Sequence, residues 1–289
     1  MIEELIPLFL IRAIMASVIT SITTAILGIY VVSRNLSSAG AALAHTALAG
    51  AVLGHLLGVD PYLGALSMNL VLSIVIANLS ISSTRESEAV IGLLFGFSTA
   101  LAVTLVSLVK EYVVVVWTYL IGDVLGVTLT DILFLASVSL ITINVLMLCY
   151  KEFKFITFDI EGARAMGLNV TFYHFLMTVL IALVTTICLR TVGSILTTVL
   201  LVAPAATARK ITHSFEKAIA LSIIVSLLSS FMGMYVSLQL NLTVSGTIGL
   251  VASLLYFITG YIVAKFKYCK KCRLLIPQQR LSLKVKDRD

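Results

Sequence analysis

The sequence predicts an all-α fold, a polytopic membrane helix bundle of eight or nine crossings with a short helix on its cytosolic surface. Three observations predict it. Hydrophobic residues make up 60% of the 289 and charged residues only 12%, with a mean hydropathy of +1.10, whereas roughly a quarter of the residues of soluble domains are charged. Apolar runs fill the chain up to Phe266, and about 20 helical residues suffice to cross a hydrocarbon core of about 30 Å. Nine of the twenty Lys and Arg residues lie between Lys265 and Arg288, a positive-inside pattern that puts the C-terminus in the cytosol. The chain therefore divides into a transmembrane domain, 1–266, and a basic cytosolic tail, 267–289, suited to anionic lipid head groups. The net charge of +6 is a membrane signature, and no nucleic-acid partner is expected.

Each crossing has its own signals. Ile6 to Val32 forms the first, ending at Ser33-Arg34-Asn35. Glu3 and Glu4 stand where a cleaved leader would carry basic residues, so this span is expected to stay. The second, AALAHTALAGAVLGHLLG, has alanine and glycine at close intervals, which lets helices approach and places it inside the bundle. Asp60-Pro61 ends it. Tyr62 to Leu79 follows, then the polar link Ser82 to Glu88, then Ala89 to Val109. Tyr112 to Thr130 is apolar but broken by Gly122, Asp123 and Gly126. It reads as a partial helix on the outer side, since a full crossing would invert everything after it, against the basic residues of the second half. Asp131–Tyr150, Phe172–Leu189, Gly193–Ala208, Ala218–Leu240 and Thr247–Phe266 complete nine crossings with the N-terminus outside, or eight if an end span is misread.

The longest polar interruption is Lys151 to Asn169, KEFKFITFDIEGARAMGLN, with six charged residues among nineteen. Gly162 and Gly167 bracket Ala163 to Met166. Between two apolar runs, such a segment reads as a small surface helix, a handle for a cytosolic partner.

Ionisable residues inside a membrane are costly and tend to face a cavity or a partner. His45 and His55 lie ten residues apart on the second span, about 15 Å along its axis, too far to share one ion. They are either successive stations on a pathway, or one is a station and the other interfacial. His45 has small neighbours, Ala44, Ala47 and Ala49, and imidazole is a common metal ligand. It reads as a pathway ligand or as a buried histidine bonded to a carbonyl. Asp123, between two glycines, either guides a cation or caps a helix. Gly193 and Pro204, in VGSILTTVLLVAPAATA, suit a helix that packs at a gate or a subunit contact, with a simple kink as the plain alternative.

Absences narrow the chemistry. There is no G-x-x-x-x-G-K-[ST], H-E-x-x-H or G-x-S-x-G, so the chain neither splits ATP with a P-loop nor carries familiar hydrolase residues. ATP-driven work would need another subunit. Cys149 and Cys188 read as small apolar residues, and the single C-x-x-C of Cys269 and Cys272 lacks the second pair of a closed zinc site.

Three segments carry a resemblance: LSSAGAALAHTALAGAVLG (Leu36 to Gly54), FDIEGARAMGLNV (Phe158 to Val170) and VGSILTTVLLVAPAATA (Val192 to Ala208). In order and spacing they resemble the zinc/manganese/iron group of ABC importer permeases, over about residues 5 to 266. The chain departs from that pattern at Ala49 and at Val244, near which prolines commonly stand. The resemblance implies a cell-membrane permease that forms a homodimer, pairs with two cytosolic ABC ATPase subunits and receives its ion from an extracytoplasmic solute-binding protein. It implies that Asp159 to Gly167 is the coupling helix, with Asp159, Glu161, Ala163, Arg164 and Gly167 at the ATPase contact, and that His45 is the histidine of the second-span motif. Zinc, manganese or ferrous iron would be cargo moved by alternating access, and no permanently bound cofactor is expected. The rivals are a permease for metal chelates such as siderophores or cobalamin, an intramembrane enzyme using His45 and Asp123 around a metal, and an ion-coupled carrier that works alone.

Overall fold

The computed structural model describes residues 8–80, 85–108 and 119–286, and the side chains of these except 80, 85–88 and 266–286. Eleven helices follow one another among the described residues: α1 (Leu8–Ser33), α2 (Ser37–Leu56), α3 (Pro61–Ser80), α4 (Arg85–Leu108), α5 (Leu129–Leu148), α6 (Tyr150–Phe158), α7 (Ile160–Ala165), α8 (Val170–Thr191), α9 (Ser194–Ile211), α10 (Phe215–Leu240) and α11 (Val244–Lys286). Nine are long and apolar enough to cross a membrane, the fuller of the two expected counts.

Local chemistry sets the boundaries. α5 starts at a capping box: the Thr128 side chain accepts from the Asp131 amide, and the Asp131 carboxylate accepts from the Thr128 amide. This satisfies two amides that a helix start leaves without partners, and it moves the beginning of the span ahead of Asp131, where apolarity alone put it. Pro61 opens α3, where its missing N–H costs nothing, and Asn241 closes α10 in the left-handed conformation. Of the stretch expected as a partial outer helix, residues 112–118 lie outside the described residues. Residues 119–121 are helical, and 122–128 form an irregular turn. The backbone of α11 runs on past 266 to Lys286, so the last span and the basic segment share one helix.

The handle is two helices rather than one. α6 and α7 meet at Asp159, whose extended backbone breaks the helix and whose carboxylate caps the next. Gly162, expected as a bracket, lies inside α7 because the cap consumes the amide at that position.

The best-covered spans are α1, α2 and α8, and the least covered is α4. The contacts repeat between two halves. α2 packs on α3 and α4 as α9 packs on α10 and α11, while α1 crosses to α9 and α10 and α8 crosses to α2 and α3. Each half thus sends its first helix into the other, and α5 touches both travellers. α8 is the fifth span after α1, so the two run antiparallel and the halves are an inverted repeat.

Close approach makes these crossings possible. A Cβ on Gly28 of α1 would lie 2.1 Å from the Leu201 carbonyl oxygen and 3.2 Å from the Ala205 Cβ. Pro204 is buried in the same turn of α9.

Candidate functional site

α2 is alanine-rich, and its small side chains let α3 and α4 close around it. His45 sits midway along it, half-buried, and meets the Phe95 ring of α4 edge-on at 5.4 Å between centroids. Beside this pair the Thr46 hydroxyl donates to Ser98 Oγ at 2.7 Å, and Ser98 donates to the Leu94 carbonyl. The histidine is therefore held at the α2–α4 seam, next to the least covered span. His55 lies in the last turn of α2 and is exposed.

Asp123 is exposed in the turn after residue 121, and its Oδ1 accepts from the Gly126 amide at 2.9 Å. This bond closes the irregular turn of 122–128 on itself. No group of three or more His, Cys, Asp and Glu with metal-holding geometry occurs among the described residues. His45, His55 and Asp123 are thus not brought together as one group in the chain.

Gly193 and Gly122 form a backbone contact. Both have positive φ, +86° and +84°, and a Cβ on either would lie within 2.4 Å of the backbone beside the other, at Ile121 or Val192. This pins the start of α9 beneath the irregular turn that carries Asp123.

The handle is built in detail. Asp159 Oδ1 accepts from the Gly162 amide at 2.8 Å, and a Cβ at Gly162 would collide with that carboxylate. At the other end the Gly167 amide donates to the Arg164 carbonyl and the Leu168 amide to the Ala163 carbonyl, both at 3.0 Å. With Gly167 at φ +83°, this is a Schellman stop. Ala163 is fully buried with Ile156 and Val170, so it seats the helix against its own chain. Glu161, Arg164 and Gly167 are exposed, as is Met166 at 76%. The six-residue helix is thus capped at both ends and offers two opposite charges and a thioether to solvent.

Sequence reasoning missed three polar constellations. Asn69 of α3 is fully buried, with Nδ2 2.9–3.1 Å from the Ala182 carbonyl, Thr185 Oγ1 and Thr186 Oγ1 of α8. At the end of the molecule that carries Asp60, Tyr62 donates to Asp131 at 3.1 Å. Arg190 pairs with the same carboxylate at 3.6 Å and lies over the Tyr62 ring. At the opposite end, the Glu216 carboxylate of α10 accepts from the Tyr150 hydroxyl at 2.9 Å and pairs with Lys154, a contact that holds the Lys154 ammonium above its usual range. An Asn in the apolar run of α3, which also holds Asn78, and the T-x-x-D before α5 were the available signals for the first two. Glu216 had none, since it reads as an ordinary acidic first turn.

The two ends differ in charge. Arg34, Lys151, Lys154, Arg164, Arg209, Lys210 and Lys217 gather with the handle and outnumber Glu152, Asp159, Glu161 and Glu216 there, while Asp60, Asp123 and Asp131 outnumber the Arg190 that joins them at the other end. Burial pushes the Arg34 guanidinium down to about 10, which leaves it charged at neutral pH.

The comparisons bear on the whole chain. The chain is 32% identical over 272 residues to the manganese transport system membrane protein MntC of Listeria monocytogenes, covering 94% of this chain and 95% of that protein. It is 30% identical over 225 residues to the high-affinity zinc uptake system membrane protein ZnuB of Haemophilus influenzae, covering 78% and 86%. Among solved structures, PsaBC from Streptococcus pneumoniae, in complex with Fab, superposes with a TM-score of 0.79 at 28% identity over 91% of this chain and 95% of that one. The pattern of the ABC 3 transport family matches residues 8–263, the full set of spans and the handle between them, and the chain is a member of that family.

Proposed function

We propose that this chain is the permease subunit of an ABC importer for a bare divalent metal ion, manganese or zinc by its relatives and with ferrous iron as a chemically similar third. The observation that carries the reading is the end-to-end match with permeases named for manganese transport. The work is divided. The chain supplies the route, and two cytosolic ABC ATPase subunits supply the energy by gripping α7 in each protomer of a homodimer. The clustering of basic residues with the handle supports a cytosolic position for that end and for the C-terminus. The acidic end then faces outward, toward a solute-binding protein that delivers the ion.

The inverted repeat supports alternating access, because two similar halves of opposite direction can exchange inward-open and outward-open packings by rocking. His45 at the α2–α4 seam is the first candidate to meet the ion. The seam lies beside the exposed α4, so a second copy packed there would set two such histidines near a common axis. Manganese and zinc both accept imidazole, and the general affinity order does not choose between them.

Reconstitution tests this. The chain is placed in liposomes with its ATPase subunits and a loaded solute-binding protein, and uptake of radioactive manganese and zinc is followed with and without ATP. Uptake should require ATP, fall severalfold in His45→Ala with assembly intact, and be lost with ATPase association in Asp159→Lys. Full-rate uptake by the purified chain alone would make it a secondary carrier instead.

A further inference from the structure

We infer that Phe215 and Glu216, in the first turn of α10, are where motion of the handle enters the membrane body, with Glu216 acting as a positioning residue. The inference rests on the handle reading of α7. α7 packs mainly on α6 and on the start of α8, so a pull on it is passed first to those helices. α6 is held at both ends by one side chain. The Phe215 ring lies 6.2 Å from that of Tyr150 in the first turn and 5.8 Å from that of Phe158 at the last residue, beside Asp159. It also meets Tyr30 of α1 at 5.1 Å, while Phe153 between those ends meets Tyr30 at 5.8 Å. Tyr30, Phe153 and Phe215 are all buried, which makes this cluster the fixed part of the joint.

Glu216 clamps the watery edge of the same face, since Tyr150, Lys154 and Phe158 follow one another at i, i+4 and i+8. Tyr150 and Lys154, one helical turn apart on α6, converge on its Oε1, and Ser214 donates to Oε2 at 3.2 Å. Ring and carboxylate together fasten this one face of α6 to the first turn of α10, which resists rolling of α6 about its own axis. From there α10 reaches α1 through buried serines: Ser222 donates to the Ala25 carbonyl at 3.1 Å, and Ser230 bonds Ser21 at 2.6 Å. This branch runs α7, α6, α10, α1, beside the direct contact of α6 with α1 through Phe153 and Tyr30, and α1 is the helix that crosses into the other half.

The side chains of Lys154 and Glu216 are 37% and 59% exposed. An ion pair this wet contributes little to the stability of the fold and is screened by salt. Its effect is on alignment. Losing it should leave folding and ATPase docking intact and let ATP be spent without transport.

The test is the number of metal ions delivered per ATP hydrolysed by the full complex in liposomes, with manganese as probe. Lys154→Glu and Glu216→Lys should each lower that ratio about threefold to tenfold, the size of effect seen when coupling networks are cut. ATPase association should stay at the wild-type level. The exchanged double variant, Lys154→Glu with Glu216→Lys, should recover most of the loss. At about 1 M salt, where the screening length is about 3 Å, the wild-type ratio should fall toward that of the single variants while theirs stays put. A wild-type ratio in both single variants, or a double variant no better than either, would overturn the inference, and so would loss of ATPase association in the single variants. If Asp159→Lys leaves ATPase association unchanged, the handle reading itself fails. If it abolishes association while the Glu216 and Lys154 variants keep the wild-type ratio, only this route is wrong.

Discussion

Asn69 does what few single residues in an apolar span do: it ties two crossings together by hydrogen bonds that water cannot replace. Its two amide hydrogens are shared among three acceptors on α8. Replacing it with Leu keeps the volume and removes the bonds. Asn69→Leu should therefore lower the unfolding free energy by about 0.5–1.5 kcal/mol, the range for interhelical polar contacts in lipid. Unfolding in mixed detergent would measure it, and an unchanged midpoint would mean that Thr185 and Thr186, already donating within their own helix, lose nothing. The residue was visible in the sequence, but its value was not. The partners lie 113 to 117 positions away, and nothing in the apolar pattern of 62–79 says which helix faces it. His45 shows the same limit. Composition made it conspicuous, and only the packing of α2 against α4 put Phe95 over it.

At the scale of elements, the spans were legible because lipid demands long uninterrupted apolar helices. Their ends were less so. α5 begins earlier and α8 is longer than apolarity alone marks, because Thr128 and Asn169 cap them with side-chain oxygens. The handle was read as one small helix since a charge-rich run looks uniform, whereas Asp159 divides it and Tyr150, Lys154 and Phe158 of α6 meet the first turn of α10. Which helices touch was also hidden, and here small residues decide. The α1–α9 crossing depends on Gly28, where even one carbon would meet a backbone oxygen at 2.1 Å. Gly28→Val should push the two halves apart and destabilise the chain by at least the about 1–3 kcal/mol typical of overpacking. The outcome is read as a lower melting temperature and lower yield from membranes. A variant with the wild-type melting temperature would show that α1 can slide at this crossing, contrary to a rigid link between halves.

For the whole molecule, the inverted repeat gives a body that is complete inside but unfinished outside. α4 is the least covered span, and along it Gly92 and Gly96 have no atom within 4 Å of where a Cβ would stand. Their G-x-x-x-G spacing puts them on one face, the arrangement by which membrane helices pack closely on a partner. Within a lone protomer, a larger side chain at Gly96 meets only lipid and costs nothing. Within the proposed homodimer it stands in the contact. Gly96→Leu should thus leave the melting temperature of the isolated chain at the wild-type value while shifting its mass in detergent, by light scattering or native mass spectrometry, from dimer to monomer. Uptake should fall with the dimer, since a single protomer offers only one wall of the route beside His45. If the variant stays dimeric and active, the second copy sits elsewhere. The exposed face of α11, the next least covered span, would then be the surface to probe.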